Sequence, residues 1–178
     1  MYPFLRLFKE MLLSRNAAPL GLSDEHVSTH ICWPWDLDMW NELNNGRTLT
    51  LYDLGRIPLA GRAGLIRTLK TEKWGLTVAG AVIRYRRRVR GMDRITMRSR
   101  LLCWDSRFVY IEQSMWKRDG ACSSHAVFRT AVTDQNGIVG TDRVMKALGF
   151  DAVSPDMPDW VATWIAAEDQ RPWPPMQD

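Results

Sequence analysis

The chain has 178 residues, 46% hydrophobic and 25% charged, enough for one well-buried core and too few to expect two. No run reaches the roughly 18 uncharged apolar residues of a membrane span, and no apolar core is followed by a small-residue cleavage site of the signal-peptide kind. Three cysteines, Cys32, Cys103 and Cys122, form neither a CxxC pair nor a metal-ligand spacing, which points to a reducing, cytoplasmic setting. The net charge of +4 is uneven: residues 151–178 hold six acids and one arginine, a local −5, so the first 150 residues carry +9. Nine arginines fall between Arg84 and Arg107 against only Asp93 and Asp105. That density suits either a phosphate-bearing partner or an ordinary solvated sheet face.

Phe4, Leu5, Leu7, Phe8, Met11 and Leu12, with Arg6 and Lys9 among them, predict a short amphipathic helix over Met1 to Ser14. It is expected to pack on its own domain or a partner subunit, and its Phe and cation content also permits a weak membrane-surface contact. His26 to Ile31 alternates as a strand does. Trp33 to Gly46 is too rich in Asp and Asn to continue it and must form an ordered loop. From about Asn45 to Leu69, Leu51, Leu54, Ile57, Gly61, Gly64 and Leu65 recur three or four apart, the spacing of a helix with one buried face. Asn44 or Asn45 can cap its start. Pro58 lacks the N–H that would bond the Leu54 carbonyl, so a kink or a second short helix is expected there.

After Lys73, β-branched and aromatic residues dominate Leu76 to Val89, Arg94 to Trp104, Arg107 to Lys117 and Cys122 to Thr133. The separators Arg90-Gly91-Met92-Asp93, Asp105-Ser106 and Arg118-Asp119-Gly120 carry hairpin chemistry, so the four strands are predicted to form an antiparallel meander. With the long helix across one face, this makes an α+β layer structure. Thr141 to Leu148 reads as a short helix closed by Gly149, and Trp160 and Trp164, four apart, are expected to anchor the tail to the body. The expected organisation is one domain over residues 1–150 that includes the N-terminal amphipathic helix, then an acidic, Trp- and Pro-containing extension over 151–178.

The Asp-rich loop carries a recognisable pattern. Asp36-Leu37-Asp38-Met39-Trp40-Asn41-Glu42-Leu43-Asn44-Asn45 opens the helix, Val78-Ala79-Gly80-Ala81 leads into Arg84-Tyr85-Arg86-Arg87, and Arg107-Phe108-Val109-Tyr110-Ile111-Glu112-Gln113 follows. Over roughly residues 22–139 this resembles the acyl-CoA thioesterase-like (4-hydroxybenzoyl-CoA thioesterase type) branch of the hotdog superfamily. The resemblance implies a hotdog fold, with one long helix packed on an antiparallel β-sheet, and hydrolysis of a fatty or aromatic acyl-CoA. CoA is then part of the substrate, and no separate cofactor is expected. The second Asp of the motif, Asp38, is implied as general base or nucleophile. Thioester hydrolysis needs such a carboxylate and a donor for the oxygen charge that develops, and first-turn amides around Asn45 and Gly46 can be that donor.

Two positions depart from the family pattern. Glu42 stands where its frequent His stands, and Trp40 where plant-type enzymes carry Asn; Glu42 either replaces the base or shares the site as a second carboxylate. A plainer role stands beside catalysis: Asp36, Asp38 and the two Asn cap the helix and tie down the loop. The resemblance also implies a homodimer, or dimer of dimers, with the site between subunits. CoA phosphates would rest on some of Arg84, Arg86, Arg87, Arg88 and Arg90; Arg84, Arg86, Arg88 and Arg90 share one face of a strand, and Arg87 points the other way. Trp35 and Trp40, flanking Asp38, would line the acyl pocket.

Were the chemistry lost with the His-to-Glu change, the same fold would be a non-catalytic binder of acyl-CoA or another lipidic ligand. Nucleic acid is not expected, because the arginines lack the aromatic stacking pattern of sheet-type RNA readers. His26, His30 and His125 are scattered with no fourth ligand in sight, so no metal is predicted. Ser123, Ser124 and His125 are too close in sequence for a hydrolase triad, and Cys122 reads as a small buried thiol.

Overall fold

A single antiparallel sheet curls around one long helix in the computed structural model, which describes residues 2–176; Met1, Gln177 and Asp178 of the expected terminal segments lie outside the described residues. In chain order the elements are α1 (Phe4–Arg15), β1 (Glu25–Ile31), α2 (Asn45–Arg62), α3 (Leu65–Glu72), β2 (Gly75–Tyr85), β3 (Arg94–Trp104), β4 (Val109–Lys117), β5 (Cys122–Asp134), β6 (Gly137–Ile138), α4 (Thr141–Ala147) and α5 (Asp159–Asp169). This is the α+β hotdog arrangement. Among the described residues, no helix is long and apolar enough to cross a membrane.

Asn44 caps α2, its side-chain oxygen accepting from the Arg47 N–H at 3.2 Å. The helix buries Leu51, Tyr52, Leu54, Gly55, Pro58 and Leu59, and its Leu51, Tyr52 and Leu54 share one apolar cluster with Met97, Met115, Ala126 and Phe128 of the sheet. Gly55 sets how close helix and sheet come. A Cβ there would stand 2.5 Å from Ser99 Oγ and 2.6 Å from Met97 Sδ, nearer than any side chain tolerates. Pro58 does not end the helix: α2 runs through it to Arg62, and the second short helix, α3, begins only at Leu65. The chain turns instead at Gly64, at φ +82, a left-handed value that ends a helix at little cost for glycine.

The four-stranded meander also needs correcting. The strand order is β1-β3-β4-β5-β2, with the short β6 paired to β5, so of the four expected strands only β3, β4 and β5 form consecutive hairpins, and β2 pairs with β5 rather than β3. The separator Arg90 to Asp93 is a turn, with the Asp93 carboxylate accepting from the Arg90 N–H at 2.9 Å. It does not fold β2 back on β3. It docks on the end of β1 instead, through Cys32 N–H to the Asp93 carbonyl and Met92 N–H to the Cys32 carbonyl. The preceding residues pair with the Asp-rich loop, Leu43 N–H donating to the Val89 carbonyl at 2.8 Å. Bulges at Val78/Gly80 and Leu101/Cys103 add the local twist that curls the sheet.

The face of the sheet away from α2 is covered by the C-terminal extension. Val161, Trp164 and Ile165 of α5 pack on Cys103, Phe108, Tyr110, Val127 and Ala131. The Trp164 ring meets Tyr110 edge-on at 6.4 Å and Trp160 meets His125 at 5.8 Å, so both tryptophans hold the tail to the body as their spacing suggests.

Candidate active site

The Asp-rich loop is built around Asp36, which is fully buried. One of its oxygens accepts from Arg6 at 2.7 Å and from the Trp33 N–H at 3.0 Å, and the other accepts from Arg47 Nε at 3.0 Å and Nη2 at 2.6 Å. A carboxylate removed from water survives only when its lone pairs are filled in this way. Asp36 therefore ties α1, the loop and the first turn of α2 together.

Asp38 lies two residues on and is half-buried. Its Oδ1 accepts from the backbone N–H of Trp40 at 2.9 Å and of Glu42 at 3.2 Å, while its own N–H donates to the Glu42 carbonyl at 2.8 Å. These bonds close a tight turn in which Asn41 sits at φ +58, a value that asparagine tolerates better than most residues. The turn fixes the orientation of the Asp38 carboxylate and delivers Glu42 to the start of α2. Among the described residues, the other Asp38 oxygen, Oδ2, accepts no hydrogen bond.

Beside this turn lies a groove of about 190 Å³. One wall is Glu42, Asn45 and Thr48, from the loop and first turn of α2; the other is Arg86, Arg87 and Arg88, just beyond β2. Ser123 and Ser124 also line it. Glu42 reaches across to Arg88, Oε1 to Nε at 3.0 Å. At the first turn the Asn45 and Gly46 N–H groups have no acceptor among the described residues, as helix geometry requires. Beneath, Tyr52 and Ser124 share a buried hydroxyl hydrogen bond of 2.9 Å, and burial pushes the Tyr52 phenol far above its usual range, so it remains neutral.

Of the residues singled out from sequence, the groove brings together Glu42, Asn45, Arg86 and Arg88, and Gly46 follows on the same helical turn. Asp38 is joined to it through the Glu42 hydrogen bonds but is not part of its lining. Arg84 lies on β2, in register with His125, outside the lining. Trp35 and Trp40 are 67% and 72% exposed and also stand outside it. The strand-face rule that set Arg87 apart from its neighbours fails, because β2 ends at Tyr85. There the Arg86 and Arg87 N–H groups both donate to the Ser123 carbonyl, at 2.8 and 3.1 Å, and the bend brings all three arginines to the groove. Thr48, Ser123 and Ser124 are lining residues that sequence reasoning missed. Only the pairing of β2 with β5 brings the serines to α2, and nothing in local sequence announces that pairing.

No group of three His, Cys, Asp or Glu among the described residues could hold a metal ion. Cys32 and Cys103 are buried, and burial pushes each thiol up to about 11, so both are poor nucleophiles near neutral pH.

The model of the thioesterase-like superfamily matches residues 32–165, a span that includes the loop, α2, strands β2 to β6 and most of α5. The protein THEM6 of Xenopus laevis is 33% identical over 150 residues, covering 83% of this chain and 70% of its own length. Among solved structures, a putative oleoyl thioesterase from Lactobacillus plantarum superposes with a TM-score of 0.64 at 15% identity; the match covers 76% of this chain but spans only 55% of that protein. A hypothetical protein of Staphylococcus aureus, solved in complex with CoA, has a TM-score of 0.56 at 12% identity over 84% of this chain and 87% of its own. The chain belongs to the thioesterase-like superfamily.

Proposed function

We propose that the chain hydrolyses acyl-CoA thioesters at this groove. One observation carries the proposal: the carboxylate loop, two first-turn amides with free N–H groups and the Arg86-Arg87-Arg88 segment meet at one end of α2. Asp38 is held by two backbone N–H groups through Oδ1, which leaves Oδ2 to attack the thioester carbonyl or to take a proton from water. Negative charge developing on the carbonyl oxygen falls to the Asn45 and Gly46 amides, reinforced by the helix dipole. The C–S bond breaks and CoA departs as its thiolate, which takes back the proton that Asp38 drew from water; where Asp38 itself attacks, water then hydrolyses the acyl anhydride left on it, and in both routes the arginines receive the CoA phosphates. The CoA complex of the Staphylococcus aureus protein supports this ligand class.

The working unit in this proposal is a homodimer. Strand β2 is one of the two edges of the sheet, with Leu76 and Val78 exposed along it, and an edge of this kind invites pairing. A second copy paired there would stand next to the half-open groove that begins where β2 ends.

One observation favours a second reading, binding without turnover: Glu42, in the place of the family's His, is engaged with Arg88. Free-thiol release from a panel of short, long and aromatic acyl-CoAs, with light scattering on the same samples, separates the two. Hydrolysis predicts turnover of at least one acyl-CoA by a dimeric protein. Because Glu42 is paired, Glu42→Gln should keep kcat within a few-fold of the parent and change mainly KM. A folded protein that binds CoA and turns over none of the panel would establish the second reading, and a monomeric mass would overturn the dimer.

A further inference from the structure

Helix α1 is mounted with its apolar side outward. At helical spacing, residues 4, 5, 8 and 12 share one face, and on it Phe4, Leu5, Phe8 and Leu12 are 70%, 87%, 63% and 50% exposed. The inward face carries Leu7, packed on the core, and Glu10, which is buried beside His30. An ordinary surface helix would be oriented the other way. The exposed face continues into a groove of about 590 Å³ between α1 and α3, lined by Phe8, Met11, Leu12 and Ile66 together with Arg15, Arg62, Arg67 and Lys70. No acidic residue lines it. Arg62 is engaged by the Ala18 carbonyl and His26, whereas Arg15, Arg67 and Lys70 have no ion pair among the described residues.

We propose that this face of α1 and α3 docks on an anionic lipid surface. Large apolar side chains rimmed by unpaired cations match an interfacial layer of negative headgroups over acyl chains. A second copy fits worse, because a two-fold contact through the same face would set the three unpaired cations of each copy against those of the other. Docking here leaves the site at the start of α2 unaltered, so it would hold the protein at a membrane without consuming any residue of the groove.

The test is sedimentation of the full chain with vesicles of phosphatidylcholine alone and of phosphatidylcholine mixed with phosphatidylglycerol, at low and high salt. The expected result is binding to the mixed vesicles that falls with salt and is near background on phosphatidylcholine. Neutralising Arg67 or Lys70 (Arg67→Gln, Lys70→Gln) should weaken it about fivefold each. Leu5→Gln with Phe8→Gln should abolish it while circular dichroism and acyl-CoA turnover stay unchanged. Absence of binding to the mixed vesicles overturns the proposal, as does equal, salt-independent binding to both kinds. Self-association of the vesicle-free protein that Phe8→Gln dissolves would also overturn it, in favour of a contact between copies.

Discussion

Asp36 and Asp38 differ by two positions and by what surrounds them. The Asp36 carboxylate is fully buried between Arg6 and Arg47, so neutralising it removes the charge that both guanidinium groups share in a site with little access to water. Removing one partner from a buried ion pair costs about 3–5 kcal/mol, and Asp36→Asn should lower unfolding free energy by about 3 kcal/mol, measured as a shift of the urea midpoint at constant m-value. A loss below about 1 kcal/mol would mean that the three-residue cluster contributes little to stability. His30 makes a pH-dependent contribution. Burial, helped by Lys9 and Arg6, depresses its imidazole from the usual 6.5 to about 4, so the nearby Glu10 carboxylate at 3.8 Å forms no ion pair with it at neutral pH. Between pH 6.5 and about 4 the unfolded chain binds a proton at this position that the folded chain refuses. The stabilisation is therefore complete above 6.5 and is lost as pH falls, about 3 kcal/mol by pH 4. His30→Gln should flatten that part of the stability-versus-pH curve, and superimposable wild-type and variant curves would contradict it.

The contact of α2 with the sheet is the element on which the groove depends, and Gly55 is its tightest point. Ala is the better helix former by about 1 kcal/mol, so an exposed helix would gain from Gly55→Ala. Here the added methyl would have to displace Ser99 Oγ and Met97 Sδ, and overpacking of this kind costs about 1–3 kcal/mol. A lowered thermal midpoint is expected; a raised one would show that the helix and sheet can move apart freely. Sequence patterning made this helix legible in the apolar spacing of its buried face, with Asn44 proving the cap of the two asparagines offered, and strand β3 lies over the expected Arg94 to Trp104. The second short helix expected from Pro58 exists but starts after Gly64, because loss of one backbone bond does not end an 18-residue helix whose buried face is held by the sheet. The position of β2 could not be read locally. Turn chemistry at Arg90 to Asp93 specifies a reversal of direction, whereas the choice of partner is made by the loop and β1 docking against that turn.

At the scale of the whole molecule, sequence reading singled out the loop side of the candidate groove, and of its far wall named Arg86 and Arg88 but not Ser123 and Ser124. Asp38, Glu42 and the helix-start amides follow one another in the chain, so local sequence could group them. The arginines and Ser123 and Ser124 join them only because β2 and β5 pair and the chain bends at Arg86. The tail packs α5 over the outer sheet face, leaving the groove, the β2 edge and the apolar face of α1 as separate surfaces that could act at once. In the proposed reaction an acyl-CoA thioester is cleaved by the carboxylate held in the Asp38 turn. The direct measurement is kcat for thiol release by wild type and by Asp38→Asn, whose remaining oxygen can still accept from Trp40 and Glu42 and so preserve the turn. A fall of at least about 100-fold, with the thermal midpoint and CoA affinity unchanged, is the predicted result. Turnover by Asp38→Asn within a few-fold of wild type would contradict it and leave Asp38 as a residue that only shapes the loop.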